Sequence, residues 1–278
     1  MHLFAGCHRP LCFSMTTNET MIKAVFFDID GTLVSFQTHE VPPSTVEALA
    51  ALRERGVKVF IATGRHKDSI DNLGTLEFDG YVTLNGGYCW ADGQAIYKHP
   101  IPRADIDSLI RFEQEVKRFP CALVEEDGLF QNYIDDTARQ LYGLLNFPLP
   151  PLRPLEENNG KEVFQLIAFF RDGEEEQQIM AALPHCEATR WNPLFADVVP
   201  QGSSKAIGID KIIAHYGIRL EETMAFGDGG NDIPMLRHAG IGVAMGNSTT
   251  EVQAAADWVT TSVDEDGIMN ALRHFGVI

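Results

Sequence analysis

Residues 22–32 read IKAVFFDIDGT. The first six are apolar apart from Lys23 and rich in β-branched and aromatic side chains. Such a run is an inner strand of a parallel sheet, covered on both faces. Asp28 and Asp30 follow at once, with Gly31 and Thr32 behind them, so two carboxylates stand in a sharp turn at the strand's carboxyl end. In open parallel sheets that end is where ligands bind. Two carboxylates there can take different jobs: one attacks as a nucleophile, and the other protonates a leaving oxygen and later activates water. Carboxylates this close also repel, which raises one pKa unless a cation neutralises them.

Downstream of this turn, Pro42-Pro43-Ser44 opens a helix with Val46, Leu49 and Leu52 at helical spacing and Gly56 as its stop. Residues 57–62 (VKVFIA) form a second buried strand ending at Thr63-Gly64-Arg65, and residues 66–73 are predicted helical. Residues 81–84 (YVTL) form a third strand before Asn85-Gly86-Gly87. This alternation predicts right-handed βαβ units. From Tyr88 the pattern becomes mixed: hairpins around Asp92-Gly93 and Asp127-Gly128, a helix over 104–118, a proline-rich stretch over 147–154, a strand over 163–170 and an acidic helix over 174–183. After about Trp191 the strand–helix alternation returns, with helices over 203–216, 232–238, 249–255 and 266–275 and strands over 223–227, 241–245 and 258–260.

The returning half repeats the opening device. The strand over 223–227 runs into Gly227-Asp228-Gly229-Gly230-Asn231-Asp232. Asp28 and Asp228 at neighbouring strand ends would make a hard-oxygen site suited to Mg²⁺. Thr63 and Gly64 offer a hydroxyl and backbone N–H groups for a phosphate oxygen, and Lys205, just after Gly202-Ser203-Ser204, can bring positive charge to it. A net charge of −17 sharpens the need for such groups. That surface repels nucleic acid and anionic lipid, and it repels phosphate esters unless the site supplies its own positive potential.

FFDIDGTL, IATGR, Lys205 and FGDGGNDIPML together resemble, in order and spacing, the haloacid dehalogenase (HAD) superfamily, specifically its Cof-type (subfamily IIB) sugar-phosphate phosphatases. The resemblance implies an α/β fold: a Rossmann-like parallel-sheet HAD core over 21–86 and 191–278, with an inserted α/β C2-type cap over 87–190. Residues 1–20 read unlike the rest and are expected to be a disordered tail or the product of an upstream start, Met15 and Met21 being alternative starts.

By the same resemblance Asp28 is the nucleophile that becomes phosphorylated. Asp30 is the general acid/base, and its backbone carbonyl joins Asp28 and Asp228 on Mg²⁺. Thr63, Gly64, Lys205 and Asn231 bind phosphate, Asp232 orients Lys205 or a metal-bound water, and Arg65 is structural. The implied reaction is Mg²⁺-dependent hydrolysis of a small phosphate monoester, a sugar phosphate first. A phosphomutase or phosphotransferase using the same aspartyl-phosphate, or a non-catalytic regulatory binding protein, are the alternatives. The expected setting is a cytoplasmic monomer acting on a small phosphorylated metabolite, without nucleic acid or membrane. Five cysteines without a CxxC pair predict neither a disulfide framework nor a zinc site. Cys89 and Trp90 are expected to be core or hinge packing, with a place in the substrate pocket as the alternative.

Overall fold

The computed structural model describes residues 21–144, 148–170, 173–190 and 193–278. The N-terminal stretch 1–20, with Cys7, Cys12 and Met15, lies outside them, as does Trp191. β1 (Ala24–Phe27) has all four side chains buried, and α1 (Pro43–Glu54) follows, its N-terminal turn pre-set by proline. The helix buries Thr45, Ala48, Leu49 and Leu52, whereas Val46 is exposed. β2 (Lys58–Ala62) and β3 (Gly80–Thr83) complete the opening units.

The helix expected over 66–73 is only a three-residue 3₁₀ turn at Lys67–Ser69. Local side chains compete for its backbone: the His66 ring accepts from Asp68 N, and Arg65 Nη1 donates to the Ser69 carbonyl.

β4 (Tyr88–Ala91) and β5 (Gln94–Lys98) form the expected hairpin, but they extend the core sheet rather than opening the inserted unit, because β4 pairs antiparallel with β3. Alternation explains the placement: Cys89 and Ala91 bury in the core cluster beneath the sheet, as packing residues. Trp90 packs at the hairpin, with the Lys67 ammonium 3.9 Å above its ring.

The inserted unit comprises α2 (Arg103–Glu115), β6 (Cys121–Glu125), β7 (Gly128–Gln131), α3 (Asp136–Leu144), β8 (Val163–Ala168), α4 (Gly173–Ala181), β9 (Cys186–Thr189) and β10 (Ala196–Pro200). Its sheet has the antiparallel order β7-β6-β8-β10-β9. The expected cap bounds of 87 and 190 therefore both shift, since the hairpin at 88–98 belongs to the large sheet and β10 belongs to the small one. One face of the small sheet packs on α2 and α4 through Leu123, Leu166, Ile106, Leu109 and Ile179. Leu141 and Tyr142 of α3 cluster with Phe169 and Phe195, and with Phe195 they also line the cleft toward the core.

The chain then returns through α5 (Lys205–Tyr216), β11 (Thr223–Gly227), α6 (Ile233–His238), β12 (Ile241–Ala244), α7 (Thr250–Gln253), β13 (Trp258–Val259) and α8 (Gly267–His274). The large sheet runs β13-β12-β11-β1-β2-β3-β4-β5, parallel from β13 to β3. β1 alternates strictly: Val25 and Phe27 face a cluster that includes Leu49, Leu52 and Leu272, while Ala24 and Phe26 face Ile209, Ile212 and Leu236. Both faces are covered, so the central strands read as unbroken apolar runs.

Candidate active site

Register brings the polar residues together. Phe27 pairs with Phe226 on one side and Ile61 on the other, so the chains leave the sheet side by side at Asp28, Asp228 and Thr63. Asp28 N donates to the Phe226 carbonyl at 3.0 Å, and Thr63 N donates to the Val82 carbonyl at 2.8 Å. Gly31 makes the sharp turn at φ +86°, and a Cβ there would lie 2.2 Å from Asp228 Oδ2. Only glycine allows both that conformation and that approach.

Lys205 is completely buried and donates to Asp28 Oδ1 and Asp232 Oδ1, each at 2.6 Å. The start of α5 is held there by a close approach: Gly86 (φ +91°) lies where a Cβ would meet the Ser204 carbonyl at 2.0 Å. Asp232 Oδ2 in turn accepts from the backbone N–H groups of Asp228 and Gly229 at 2.9 and 2.8 Å. Asp232 thus serves its own turn and Lys205.

Asp228 accepts from Thr32 Oγ1 at 3.0 Å. Asn247 Nδ2 bridges the Gly31 carbonyl (2.9 Å) and Asp228 Oδ2 (3.4 Å). The sequence reading did not single out Thr32 or Asn247. Asn247 had a findable signal, since it lies three residues past the end of β12, beside the Asp228 strand end.

A cleft of about 350 Å³ opens over these strand ends, with Asp28, Asp30, Thr63, Gly64, Asp228 and Asn231 in its wall. Small-sheet residues Val124, Gln165, Ile167 and Asp197 form its far side. Lys205 and Asp232 stand behind Asp28, outside the cleft wall. Arg65 grips both oxygens of Asp30, Nε to Oδ2 at 2.7 Å and Nη2 to Oδ1 at 2.5 Å. It thereby fixes the second carboxylate of the turn by a bidentate pair.

The electrostatics are unbalanced toward negative. Oxygens of Asp28, Asp228 and Asp232 lie within 4.8 Å of one another, against one lysine. Burial pushes the Asp28 carboxyl up to about 7, with Asp232 and Asp30 adding to the rise and Lys205 opposing it. Burial, then Asp28 and Asp232, push Asp228 up to about 8. Burial works against the Lys205 ammonium, but Asp232 and Asp28 outweigh it and its pKa rises. Buried hard-oxygen donors with one compensating charge fit a divalent cation of the Mg²⁺ type. Asp28 and Asp228 would hold it, because both Asp232 oxygens are already engaged by Lys205 and the two backbone N–H groups.

Fold and site define an α/β protein whose cleft, roofed by the inserted unit, opens over a cluster of strand-end carboxylates. The model of the haloacid dehalogenase-like hydrolase family matches residues 25–272, and the chain belongs to that family. It is 39% identical to "Putative phosphatase YkrA" of Bacillus subtilis (strain 168), over 92% of this chain and 98% of the relative. It superposes on a solved HAD subclass IIB sugar phosphatase, BT4131, with a TM-score of 0.84 at 49% identity, covering 92% of this chain and 100% of the other. The phosphatase BT1666 of Bacteroides thetaiotaomicron gives a TM-score of 0.86 at 44% identity, with coverages of 94% and 98%. The protein is a HAD-like phosphatase. Among the described residues no helix is long and apolar enough to cross a membrane.

Proposed function

We propose that the protein hydrolyses a small phosphate monoester with Mg²⁺, through an aspartyl-phosphate on Asp28. The observation that carries this is the state of Asp28. It lines the cleft, its Oδ1 is held by Lys205, and among the described residues its Oδ2 accepts no hydrogen bond. Oδ2 is the oxygen that attacks phosphorus. The Asp28–phosphorus bond forms as the ester bond breaks, and Asp30 gives its proton to the leaving oxygen. Asp30 then takes a proton from a water whose oxygen attacks phosphorus, releasing phosphate and restoring Asp28. Because Arg65 holds Asp30 in this state, each transfer needs that side chain to come off the guanidinium.

Thr63, Gly64 and Asn231 line the place where phosphate oxygens would sit, and Lys205 offsets charge from behind. Bound Mg²⁺ supplies electrostatic stabilisation of the phosphoryl oxygens. A cleft of about 350 Å³ lies at the small end for ligand sites and suits a compact metabolite. The likeness to a sugar phosphatase makes sugar phosphates the first class to try. We read the chain as a cytoplasmic monomer; the buried free thiols of Cys89, Cys121 and Cys186 support a reducing compartment.

The direct test is phosphate release from hexose and pentose phosphates with Mg²⁺ and with a chelator. Release that stops on chelation is expected. An isomerised sugar phosphate in place of free phosphate would favour a mutase, and no turnover across a broad panel of phosphate esters would end the reading.

The raised pKa values of Asp28 and Asp228 make both stability and metal binding pH-dependent. Without metal, the folded chain holds protons on Asp28 and Asp228 that the unfolded chain releases near the ordinary value of 3.8. That contribution to stability is complete below pH 3.8 and is lost as pH rises through about 7 to 8. Mg²⁺ takes the place of those protons. The gain in Tm on adding Mg²⁺ should therefore be small at pH 6 and reach several degrees by about pH 8.5. A gain that stays flat or shrinks over this range argues against Asp28 and Asp228 as its ligands.

A further inference from the structure

A chain of four amide and carboxylate side chains runs from the cleft into the small sheet, and the chemistry above leaves most of it unused. Asn231 Nδ2 donates to Asn85 Oδ1 at 3.0 Å. Asn85 Nδ2 donates to Gln165 Oε1 and Asp197 Oδ2, each at 3.4 Å. Gln165 Nε2 donates to Asp197 Oδ1 at 2.9 Å. Asn85, Gln165 and Asp197 are all buried, so these groups answer to one another more than to bulk water. Asn85 also sits at the centre of the phosphate-side loops. Its backbone N–H donates to the Thr63 carbonyl at 3.1 Å, and its carboxamide lies 3.2 Å from where a Cβ on Gly64 would be. Its left-handed backbone (φ 52°) is one that asparagine tolerates better than most residues.

The polarity of the chain is set from the Asp197 end. Both of its oxygens accept here, Oδ1 from Gln165 Nε2 and Oδ2 from Asn85 Nδ2, so both neighbours turn their NH₂ groups toward it. Gln165 then presents its carbonyl to Asn85, and Asn85 presents its own carbonyl to Asn231. A carbonyl there can be met only by a donor, so Asn231 must offer Nδ2. The Asn231 Oδ1 is correspondingly turned toward Gly229, 2.7 Å from where a Cβ on that residue would be. One Asn231 N–H is spent on Asn85, and the second remains for an anion in the cleft.

We propose that Asn85 is a positioning residue that relays hydrogen-bond polarity from Asp197 of the inserted unit to Asn231, so that Asn231 meets phosphate as a donor only while β8 and β10 are docked over the core. The proposal rests on the reading of Asn231 as a phosphate contact. Withdrawing Gln165 and Asp197 frees the Asn85 carboxamide to flip, and Asn231 can then turn its carbonyl toward the anion. Docking of the unit and anion binding are thereby coupled, and the coupling is reciprocal.

The substitution Asp197→Asn keeps the shape but adds a donor, which removes the constraint on polarity. Binding of inorganic phosphate in Mg²⁺ would be measured by calorimetry, with kcat, KM and Tm alongside, for the intact protein, Asp197→Asn, Asn85→Ala and the double variant. Phosphate affinity should fall about tenfold or more, as for losing a hydrogen bond to a charged group. KM should rise by a similar factor, with kcat changed by less than about threefold. The double variant should lose no more than Asn85→Ala alone, since both act through one chain. Phosphate affinity within about twofold of wild type in Asp197→Asn, or additive losses in the double variant, would overturn the relay. A fall in Tm and kcat without selective loss of phosphate affinity would reduce Asp197 to a packing residue, which also overturns it. Failure of the hydrolase reading looks different: the wild type would bind phosphate but turn over no ester, and the relay would still be read in the binding data. A wild type that binds no phosphate would end both.

Discussion

Replacing Asp28 by asparagine should remove turnover, by about 10⁴-fold or more, while leaving the fold at least as stable. The amide has no anionic oxygen to attack phosphorus, and no other carboxylate takes its place: Asp30 serves the same cycle as the proposed acid/base, Asp232 is buried behind Lys205, and Asp228 is held by Thr32 and Asn247. Losses of this size are usual when a nucleophile is removed. Stability should move the other way. The wild-type carboxyl is pushed up to about 7, chiefly by burial, so above neutral pH its ionisation opposes folding of the metal-free protein. Asparagine cannot ionise, and Lys205 keeps its partner Asp232. Single-turnover phosphate release and a thermal melt at pH 8 without metal check both halves. Residual turnover within about 100-fold of wild type would exclude the covalent route through Asp28. A collapsed Tm would mean that Asp28 is a structural residue first.

Replacing Lys205 by methionine should damage activity and fold together. The ammonium is wholly buried between Asp28 and Asp232, and methionine fills similar volume without charge. Breaking a buried pair from one side leaves uncompensated charge and costs roughly 3–5 kcal/mol, or on the order of 10 °C in Tm for a chain of this size. The loss should be smaller below about pH 7, where Asp28 takes up a proton. Lys205 also restrains the rise of the Asp28 pKa, so in the variant Asp28 stays protonated to higher pH. The nucleophile is then scarcer at neutral pH, and one cation fewer stands behind it to offset the charge of the transferring phosphoryl group. Together these should lower kcat by about 10³-fold, with the acid limb of the pH–rate profile moved to higher pH. Melting curves across pH 5–9 and a pH–rate profile test this. An unchanged profile with a lowered kcat would leave Lys205 a phosphate contact with no influence on Asp28.

Much of the fold was legible because its signals are local. The strands ending at Asp28 and Asp228 are unbroken apolar runs, and burial on both faces of a parallel sheet produces that pattern. The places where local reading failed are places where side chains or a neighbouring strand compete for the backbone. The stretch 66–73 has helical spacing, but Arg65 and His66 take its early backbone groups, and only the turn Lys67–Ser69 forms. The hairpin at 88–98 was legible as a hairpin. Its membership of the core sheet was not, since β3 makes that choice by pairing with β4 across Asn85-Gly86-Gly87. α3, β9 and β10 were missed because short segments carry too little periodicity to be told from loop.

By itself the sequence determined which polar groups stand at element ends: carboxylates after two strands, a hydroxyl after another, one lysine at a helix start, and the order in which they occur. Covalent connectivity and strand periodicity are enough for that. Only the tertiary structure decided how those groups share their charge. Lys205 lies 177 residues from Asp28 and 27 from Asp232, and a side chain finds partners at such separations only when sheet register and a close glycine contact put the backbones in place. The same holds for the grip of Arg65 on Asp30 and for the amide chain from Asp197 to Asn231. Hydrogen-bond polarity and desolvation depend on what surrounds a group in space, and neighbours in space are not neighbours in the chain.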